Sequence, residues 1–172
     1  MKRQRYLLAA VLAAAVAAVC PGCAGPISNG VIKNADESVT LDRVRANPGA
    51  YEGRVVLWTG IILDTQPLEN STVIEILERP ADRQKRPKNV DASRGRFFAR
   101  GNGFLDPAVL CQGREITVVG KIAGSESSLI GEYNYTYPVV DIEEYHLWAP
   151  EREIYYYTPY PPYPFYDPWW FY

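Results

Sequence analysis

The pattern of hydrophobic and polar residues gives strand signals in five stretches of the chain, and in one of them it alternates as a half-buried β-strand requires. In the fourth stretch, Ile116, Val118, Gly120 and Ile122 share one side, and the residues between them share the other. Because successive side chains of a strand point to opposite faces, this pattern predicts a sheet with one buried face and one solvent-exposed face. The predicted strands are Arg54 to Leu63, Ser71 to Leu77, Arg96 to Arg100, Arg114 to Ile122 and Tyr137 to Trp148.

Two short helical signals accompany the strands. One helix is predicted to begin after Ser38 or Thr40, either of which can serve as its N-cap, and to end at Asn47-Pro48-Gly49. A one-turn helix is predicted from Pro107 to Cys111, between the third and fourth strands. The helix content of the protein is therefore expected to be low.

This order of elements predicts a mainly β protein with a small, OB-like, five-stranded, partly open barrel. Gly60 and Gly120 lie inside strands, where the absence of a side chain allows the sharp coiling that small barrels need. An open antiparallel α+β sheet remains the alternative. The predicted barrel domain covers residues 38–150.

The N-terminal residues 1–22 have the features of a bacterial lipoprotein signal. Three basic residues precede a thirteen-residue apolar run from Leu7 to Val19, which is too short to span a bilayer. Gly22 precedes Cys23 as the lipoprotein peptidase requires, whereas the branched Val19 precedes Cys20. Cys23 is therefore predicted to be acylated and to begin the mature chain. The alternative is cleavage by the ordinary signal peptidase, which would leave both cysteines as a CxxC redox pair or metal half-site.

Lipidation at Cys23 predicts that the acyl chains anchor the protein in a membrane. Ala24 stands where enteric inner-membrane lipoproteins have Asp, so the outer membrane is expected, with the periplasmic face favoured over the cell surface. Residues 23–37 are expected to form a tether. Cys111 is predicted to be a small buried core residue, and no disulfide is expected.

The positive charge of the mature chain is concentrated in one loop. Residues 23–172 carry a net charge of −5, yet the segment from Arg79 to Arg96, here called the basic loop, carries +5. Its candidate anion-contacting residues are Arg83, Lys85, Arg86 and Lys88. Lipid phosphates, lipopolysaccharide and peptidoglycan carboxylates are the anions expected in the envelope. No nucleic acid is expected, because the loop has no interleaved aromatic residues. A solvated, mobile connection is the alternative.

No pattern in the sequence indicates catalysis or a cofactor. His146 follows Glu143 and Glu144, but consecutive strand positions point to opposite faces and do not converge on one metal ion. The nucleophile-elbow, zinc-protease and phosphate-loop motifs are all lacking. We therefore expect no metal, no cofactor and no enzyme activity.

The C-terminal residues 151–172 form a tail of unusual composition. Between Tyr155 and Tyr172, eleven of eighteen residues are aromatic and five are proline. Proline disfavours helices and central strands, so an extended conformation is predicted. Tyrosine and tryptophan suit a membrane interface or stacking on glycan rings. The candidate docking residues are Tyr160, Tyr163, Trp169 and Trp170. A tail that wraps the barrel is the alternative, and a disordered tail is disfavoured.

Between Cys23 and Trp148 the chain carries an ordered set of motifs: the cysteine followed by Pro-Ile-Ser, then NPGAYEGRVVLWTGIIL, STVIEILERP, GRFFAR, GREITVVGKIAG, GEYNYTYPVV and HLW. Together, in this order, they resemble the Slp group of starvation-inducible outer-membrane lipoproteins. Members usually have Gly-Gly after the tryptophan of the first strand, where this chain has Thr59-Gly60. The resemblance runs from Cys23 to Trp148 and implies an outer-membrane location, induction by stress or starvation, and no established enzyme activity.

Two functional hypotheses follow from these observations. The first is a non-enzymatic outer-membrane lipoprotein whose tail and basic loop contact the membrane, peptidoglycan, lipopolysaccharide or another envelope protein. The second is an OB-fold binding module for an oligosaccharide or a nucleotide-like ligand. A concave, aromatic-lined pocket near the basic loop would favour the second hypothesis, and a flat, closed surface would favour the first.

Overall fold

Five β-strands close into an irregular ring in the order β1, β2, β3, β5, β4, with β4 pairing back onto β1. The computed structural model describes Arg3 and residues 27–150. The strands are β1 (Val55–Pro67), β2 (Ser71–Glu78), β3 (Arg96–Asn102), β4 (Glu115–Ile130) and β5 (Tyr133–Leu147). Before them come α1 (Asn29–Ile32), α2 (Leu41–Ala46) and a 3-10 turn at Pro48–Ala50. The predicted mainly β, OB-like architecture is confirmed.

The ring closes at a short parallel seam between β3 and β5. Only three residue pairs, from Phe98 with Val139 to Arg100 with Asp141, form this seam, whereas the other neighbours are antiparallel and pair over seven or more positions. Gly60 and Gly120 permit the coiling, because a Cβ at either position would overlap the backbone carbonyl of the adjacent strand. Both glycines are thus needed for close strand approach, as the sequence predicted.

The inward-facing residues of the strands form the hydrophobic core. Trp58 packs edge-on against Phe97, with ring centroids 5.2 Å apart, and its indole N–H donates to the Val39 carbonyl at 3.2 Å. The predicted helix exists as α2, and it buries Leu41 and Val44 against the same core. Each such side chain contributes about 1.5–3 kcal/mol of transfer free energy when it is fully buried.

The segment from Pro107 to Cys111 is a turn rather than the predicted one-turn helix. Its Leu110 N–H donates to Asp106 at 3.0 Å, but no helix follows. The turn directs Leu110 into the core at 1% exposure, so its neighbour Cys111 faces solvent. The prediction of a buried Cys111 is therefore wrong, because the turn has room for one inward residue and Leu110 takes it.

The outer face of β4 is covered where the sequence predicted solvent exposure. Thr117 and Val119 are both fully buried, although they alternate with the core residues Ile116 and Val118. Segments that are distant in the sequence cover this face and define the candidate site.

Candidate functional site

The basic loop folds into a defined turn organised by Asp82. The backbone N–H groups of Gln84 and Arg86 both donate to Asp82 Oδ1, at 2.8 and 2.9 Å. The Asp82 N–H in turn donates to the Arg86 carbonyl at 2.8 Å. Lys85 adopts a positive φ of 65° within this turn, and Pro87 is buried beneath it. The centre of the loop therefore has a fixed conformation.

The barrel holds this turn through β4 and the end of the last strand. Thr117 Oγ1 donates to the Lys85 carbonyl at 2.6 Å and accepts the Trp148 indole N–H at 2.9 Å. Arg86 Nε forms an ion pair with Glu115 at 2.5 Å, and the Arg86 guanidinium lies 5.6 Å from the Trp148 ring centre. The covering of Thr117 thus comes from the basic loop and Trp148.

Residues 27–37, here called the N-terminal segment, lie beside the basic loop. Ile27 is 1% exposed, and Ser28 donates its N–H and hydroxyl to Glu144 Oε1 at 3.0 and 3.1 Å. Glu144 pairs with Val119 across the β4–β5 ladder, two positions from Thr117. Glu37 then contacts Lys85 directly at 2.8 Å. The N-terminal segment and the basic loop therefore cover adjoining parts of one face, here called the covered face.

The four candidate anion-contacting residues divide into two pairs. Lys85 and Arg86 are partly buried and form ion pairs with Glu37 and Glu115. Arg83 and Lys88 are exposed. Neither carboxylate was predicted to contact the loop, because no local pattern links residues that are 48 and 29 positions apart in sequence. Cys23 lies outside the described residues. So do the four candidate docking residues, Tyr160, Tyr163, Trp169 and Trp170.

A cleft of about 300 Å³ separates the N-terminal segment from the basic loop. Its lining mixes acidic and basic side chains, including Glu37, Glu78 and Arg94. Trp58 is its only aromatic lining residue among those described, and it is 7% exposed. Because a buried ring offers no face for stacking, this cleft is not the aromatic-lined pocket that a nucleotide-binding or glycan-binding module would place here.

Burial raises the pKa of Glu78 at the back of this cleft. Its side chain is 5% exposed, and it accepts the Arg94 N–H at 2.7 Å. That hydrogen bond and the Arg94 charge act in the opposite direction on the pKa, but desolvation dominates. Through the hydrogen bond from Arg94, Glu78 joins the end of β2 to the last part of the basic loop, just before β3.

His146 takes part in a ring contact at the end of β5. Its imidazole lies edge-on to Trp148, with ring centroids 4.6 Å apart. Among residues 27–150, no three histidine, cysteine or acidic side chains converge as metal ligands. In the same part of the chain, no helix is long and apolar enough to cross a bilayer.

Together, the closed ring and its strand order define a small OB-like β-domain. The chain belongs to the outer membrane lipoprotein Slp family, whose sequence model matches residues 20–172. This membership confirms the resemblance to the Slp group that the sequence motifs indicated.

Two relatives from Escherichia coli K12 illustrate the relationship. The chain is 32% identical to the uncharacterized lipoprotein YeaY over 173 residues, covering 99% of this chain and 86% of that protein. It is 29% identical to the outer membrane protein Slp over 105 residues, covering 61% of this chain and 55% of that one. Among solved structures, a small single-stranded DNA-binding protein from Streptomyces coelicolor matches 55% of this chain and 94% of its own, with 14% identity and a TM-score of 0.35.

Proposed function

We propose that this protein is a non-enzymatic lipoprotein of the outer membrane whose covered face lies against the membrane surface, with the basic loop contacting anionic head groups. The single observation that supports this orientation is the packing of the N-terminal segment beside the basic loop. Glu37 and Lys85 join the two at 2.8 Å. The end of the chain that leads to the anchor therefore leaves from the face that carries the loop.

Chain geometry limits how far this face can lie from the lipid. If Cys23 carries the acyl chains, only the four steps from Cys23 to Ile27 separate the anchor from a residue that is buried on the barrel. Four fully extended residues span at most about 14 Å. A free tether of residues 23–37 would reach several times further. The packed N-terminal segment thus favours a barrel held close to the membrane.

Arg83 and Lys88 supply the charges for the proposed contact, because they are exposed while Lys85 and Arg86 hold the loop. A basic residue near an anionic membrane surface contributes about 1 kcal/mol at low ionic strength. Phosphates of lipids or of lipopolysaccharide fit this chemistry. We propose the periplasmic face of the outer membrane as the location, because a periplasmic barrel needs no further export.

The test uses the lipid-free mature chain, residues 24–172, and vesicles with or without anionic phosphatidylglycerol. Arg83→Ala with Lys88→Ala should weaken binding to anionic vesicles roughly 10- to 30-fold in low salt, which corresponds to about 2 kcal/mol. Arg43→Ala with Arg100→Ala removes the same charge elsewhere and should change binding by less than threefold. High salt should abolish the difference.

Equal binding to neutral and anionic vesicles, or equal effects of the two double variants, would refute the proposed orientation. A cellular arm tests the anchor separately. Cys23→Ser should prevent palmitate labelling and leave an unprocessed precursor, whereas Cys20→Ser should be labelled normally. Labelling of the Cys23→Ser protein would show that the anchor has been assigned wrongly.

A further inference from the structure

A second concavity, of about 440 Å³, lies on a different part of the ring from the covered face. Its floor is the outer surface of β2, β3 and β5, where Phe98 stacks on Tyr137 with ring centroids 4.1 Å apart. One wall is the end of β1 with Leu68, and the other is the β4–β5 hairpin from Glu126 to Leu129. We call this concavity the hairpin groove.

The part of β4 that borders this groove has a free strand edge. Pairing of β4 with β1 ends at Ile122, which exchanges backbone hydrogen bonds with Gly53 and Arg54. From Gly124 to Ile130, β4 has β5 on one side and, among the described residues, no strand on the other. Four consecutive residues, 126–129, line the groove. The stretch of β4 that has a free edge therefore also borders the groove.

The groove is acidic. Its lining includes the carboxylates of Asp64, Glu75 and Glu126 and no lysine or arginine. Glu75 forms an ion pair with Arg96 at 2.8 Å. Glu126 lies 3.9 Å from Arg100, which pairs more closely with Asp141 at 2.7 Å. Asp64 accepts a hydrogen bond from the amide of Gln66 at 2.7 Å. Among the described residues, Asp64 and Glu126 therefore stand on opposite walls without a cation as close as the one that Arg96 provides for Glu75.

The rims of the groove are apolar. Leu68 is 56% exposed and Leu129 is 66% exposed, and they stand on opposite walls. An open strand edge, two apolar rims and two acidic walls together suit a ligand with backbone hydrogen-bonding groups, apolar side chains and positive charge. An extended basic peptide has all three.

We propose that the hairpin groove binds an extended, basic segment of another protein, which adds as a strand to the free edge of β4. Main-chain hydrogen bonds would supply the affinity, and alternate side chains of the segment would meet Asp64 and Glu126. The acidic walls would repel a nucleic-acid backbone. The bulge between Ile122 and Gly124 and the charge of Glu126 also protect the edge from pairing with a second copy.

The aromatic tail of this chain is a poorer occupant. Residues 155–172 include five prolines and no lysine or arginine. Proline has no N–H to donate to a strand edge, and residues 155–172 offer no cation to the acidic walls. The proposal is independent of the membrane orientation proposed above, since it uses other strands and the opposite charge.

The experiment measures binding of a fluorescent nonapeptide of alternating lysine and valine to the lipid-free mature chain, residues 24–172, by anisotropy in low salt. The matched probe has the same sequence with D-residues at alternate positions, which keeps composition and charge but moves all side chains of an extended backbone to one face, so that the alternation of an L-strand is lost. We expect the all-L peptide to bind at least tenfold more tightly than the matched probe. Asp64→Asn with Glu126→Gln should weaken its binding at least tenfold.

The control variant Asp91→Asn with Glu143→Gln removes two exposed carboxylates outside the groove. It should leave binding of the all-L peptide within threefold of the wild type. Equal binding of the two peptides would overturn strand addition, and this comparison uses the unaltered protein, so misfolding cannot explain it. Tighter binding of a neutral hexasaccharide or of oligothymidylate than of the all-L peptide would also overturn the proposal. A tenfold gain in affinity on deleting residues 158–172 would identify the tail as the occupant and refute the proposal.

Discussion

Glu78 is a carboxylate that the fold buries at the junction of β2 and the basic loop. Its partner is Arg94, which donates a backbone N–H at 2.7 Å and places its guanidinium 3.4 Å away. Asp42 adds a repulsive charge that acts with burial to raise the pKa of Glu78. The ionised form is thus less favourable in the folded state than in the unfolded chain. Stability should consequently depend on pH through this residue.

The sign of that dependence follows from the raised pKa. The contribution of Glu78 to stability is fully present below the unfolded pKa, near 4.5, and is lost as pH rises through the higher folded pKa. Glu78→Gln cannot ionise but can still accept the Arg94 N–H. We expect the variant to gain stability relative to the wild type between pH 4 and pH 8, as measured by urea unfolding at each pH.

The control for this prediction is Glu52→Gln, which alters an exposed carboxylate. The difference between this control and the wild type should stay nearly constant over the same pH range. A Glu78→Gln variant that loses stability relative to the wild type as pH rises would show that the Arg94 interactions outweigh desolvation, contrary to the assigned direction.

At this residue scale, the sequence predicted which strand residues face inward but not what happens at turns and outer faces. Ile116 and Val118 follow a local alternation with period two, which a sequence displays directly. The orientation of Leu110 and Cys111 depends on the backbone of one turn. The burial of Thr117 depends on a contact with Lys85, 32 residues away. Alternation alone could not predict either outcome.

Among the elements, the basic loop and β4 are joined by one buried hydroxyl. Thr117 is fully buried, donates to the Lys85 carbonyl and accepts the Trp148 indole N–H. Thr117→Val keeps the shape but leaves both partner groups without this bond. We expect a loss of about 1–3 kcal/mol in the free energy of unfolding, or roughly 5–10 °C in Tm, measured by thermal unfolding.

The same substitution should release the basic loop locally. Trypsin should cleave Thr117→Val faster at Arg83 and Lys88, because fewer contacts then hold the turn against the barrel. Thr136→Val, at a partly buried position of β5 in the hairpin, should change Tm by less than about 2 °C and leave cleavage unaltered. If Thr117→Val and Thr136→Val behave alike, the hydroxyl does not fix the loop.

The β4–β5 hairpin shows where element prediction from the sequence stops. The predicted strands ended at Ile122 and began again at Tyr137, whereas β4 runs to Ile130 and β5 starts at Tyr133. The missing residues 123–136, AGSESSLIGEYNYT, are mostly polar because this extension projects beyond the core. The available signal was Gly131, whose φ of 61° suits a two-residue hairpin turn.

At the scale of the whole molecule, basic and acidic side chains are concentrated on different surfaces. The basic loop carries +5 although residues 23–172 sum to −5, and it lies on the covered face beside the N-terminal segment. The hairpin groove is lined by carboxylates. In the proposed orientation, the basic loop therefore meets the membrane while the acidic groove stays available to a protein segment. The aromatic tail is the remaining part of the chain to which a role can be proposed.

We propose that the tail is a docking strip for the envelope rather than a part of the barrel. Among the described residues, the buried core cluster is built from residues 39–140, and the ring already closes through strands that end at Leu147. Deleting Thr158 to Tyr172 should therefore change Tm by less than about 2 °C. The deletion should abolish association of the lipid-free protein with purified envelope fragments, measured by co-sedimentation, because tyrosine and tryptophan supply the interfacial contacts.

A matched variant separates the aromatic rings from the length of the tail. Replacing Tyr160, Tyr163, Trp169 and Trp170 by alanine keeps every proline and the full chain, and it should weaken co-sedimentation nearly as much as the deletion does. If the rings instead pack on the barrel, both variants would expose the apolar surface that those rings cover. Tm would then fall by several degrees while association persisted, and that result would make the tail part of the fold and the docking proposal wrong.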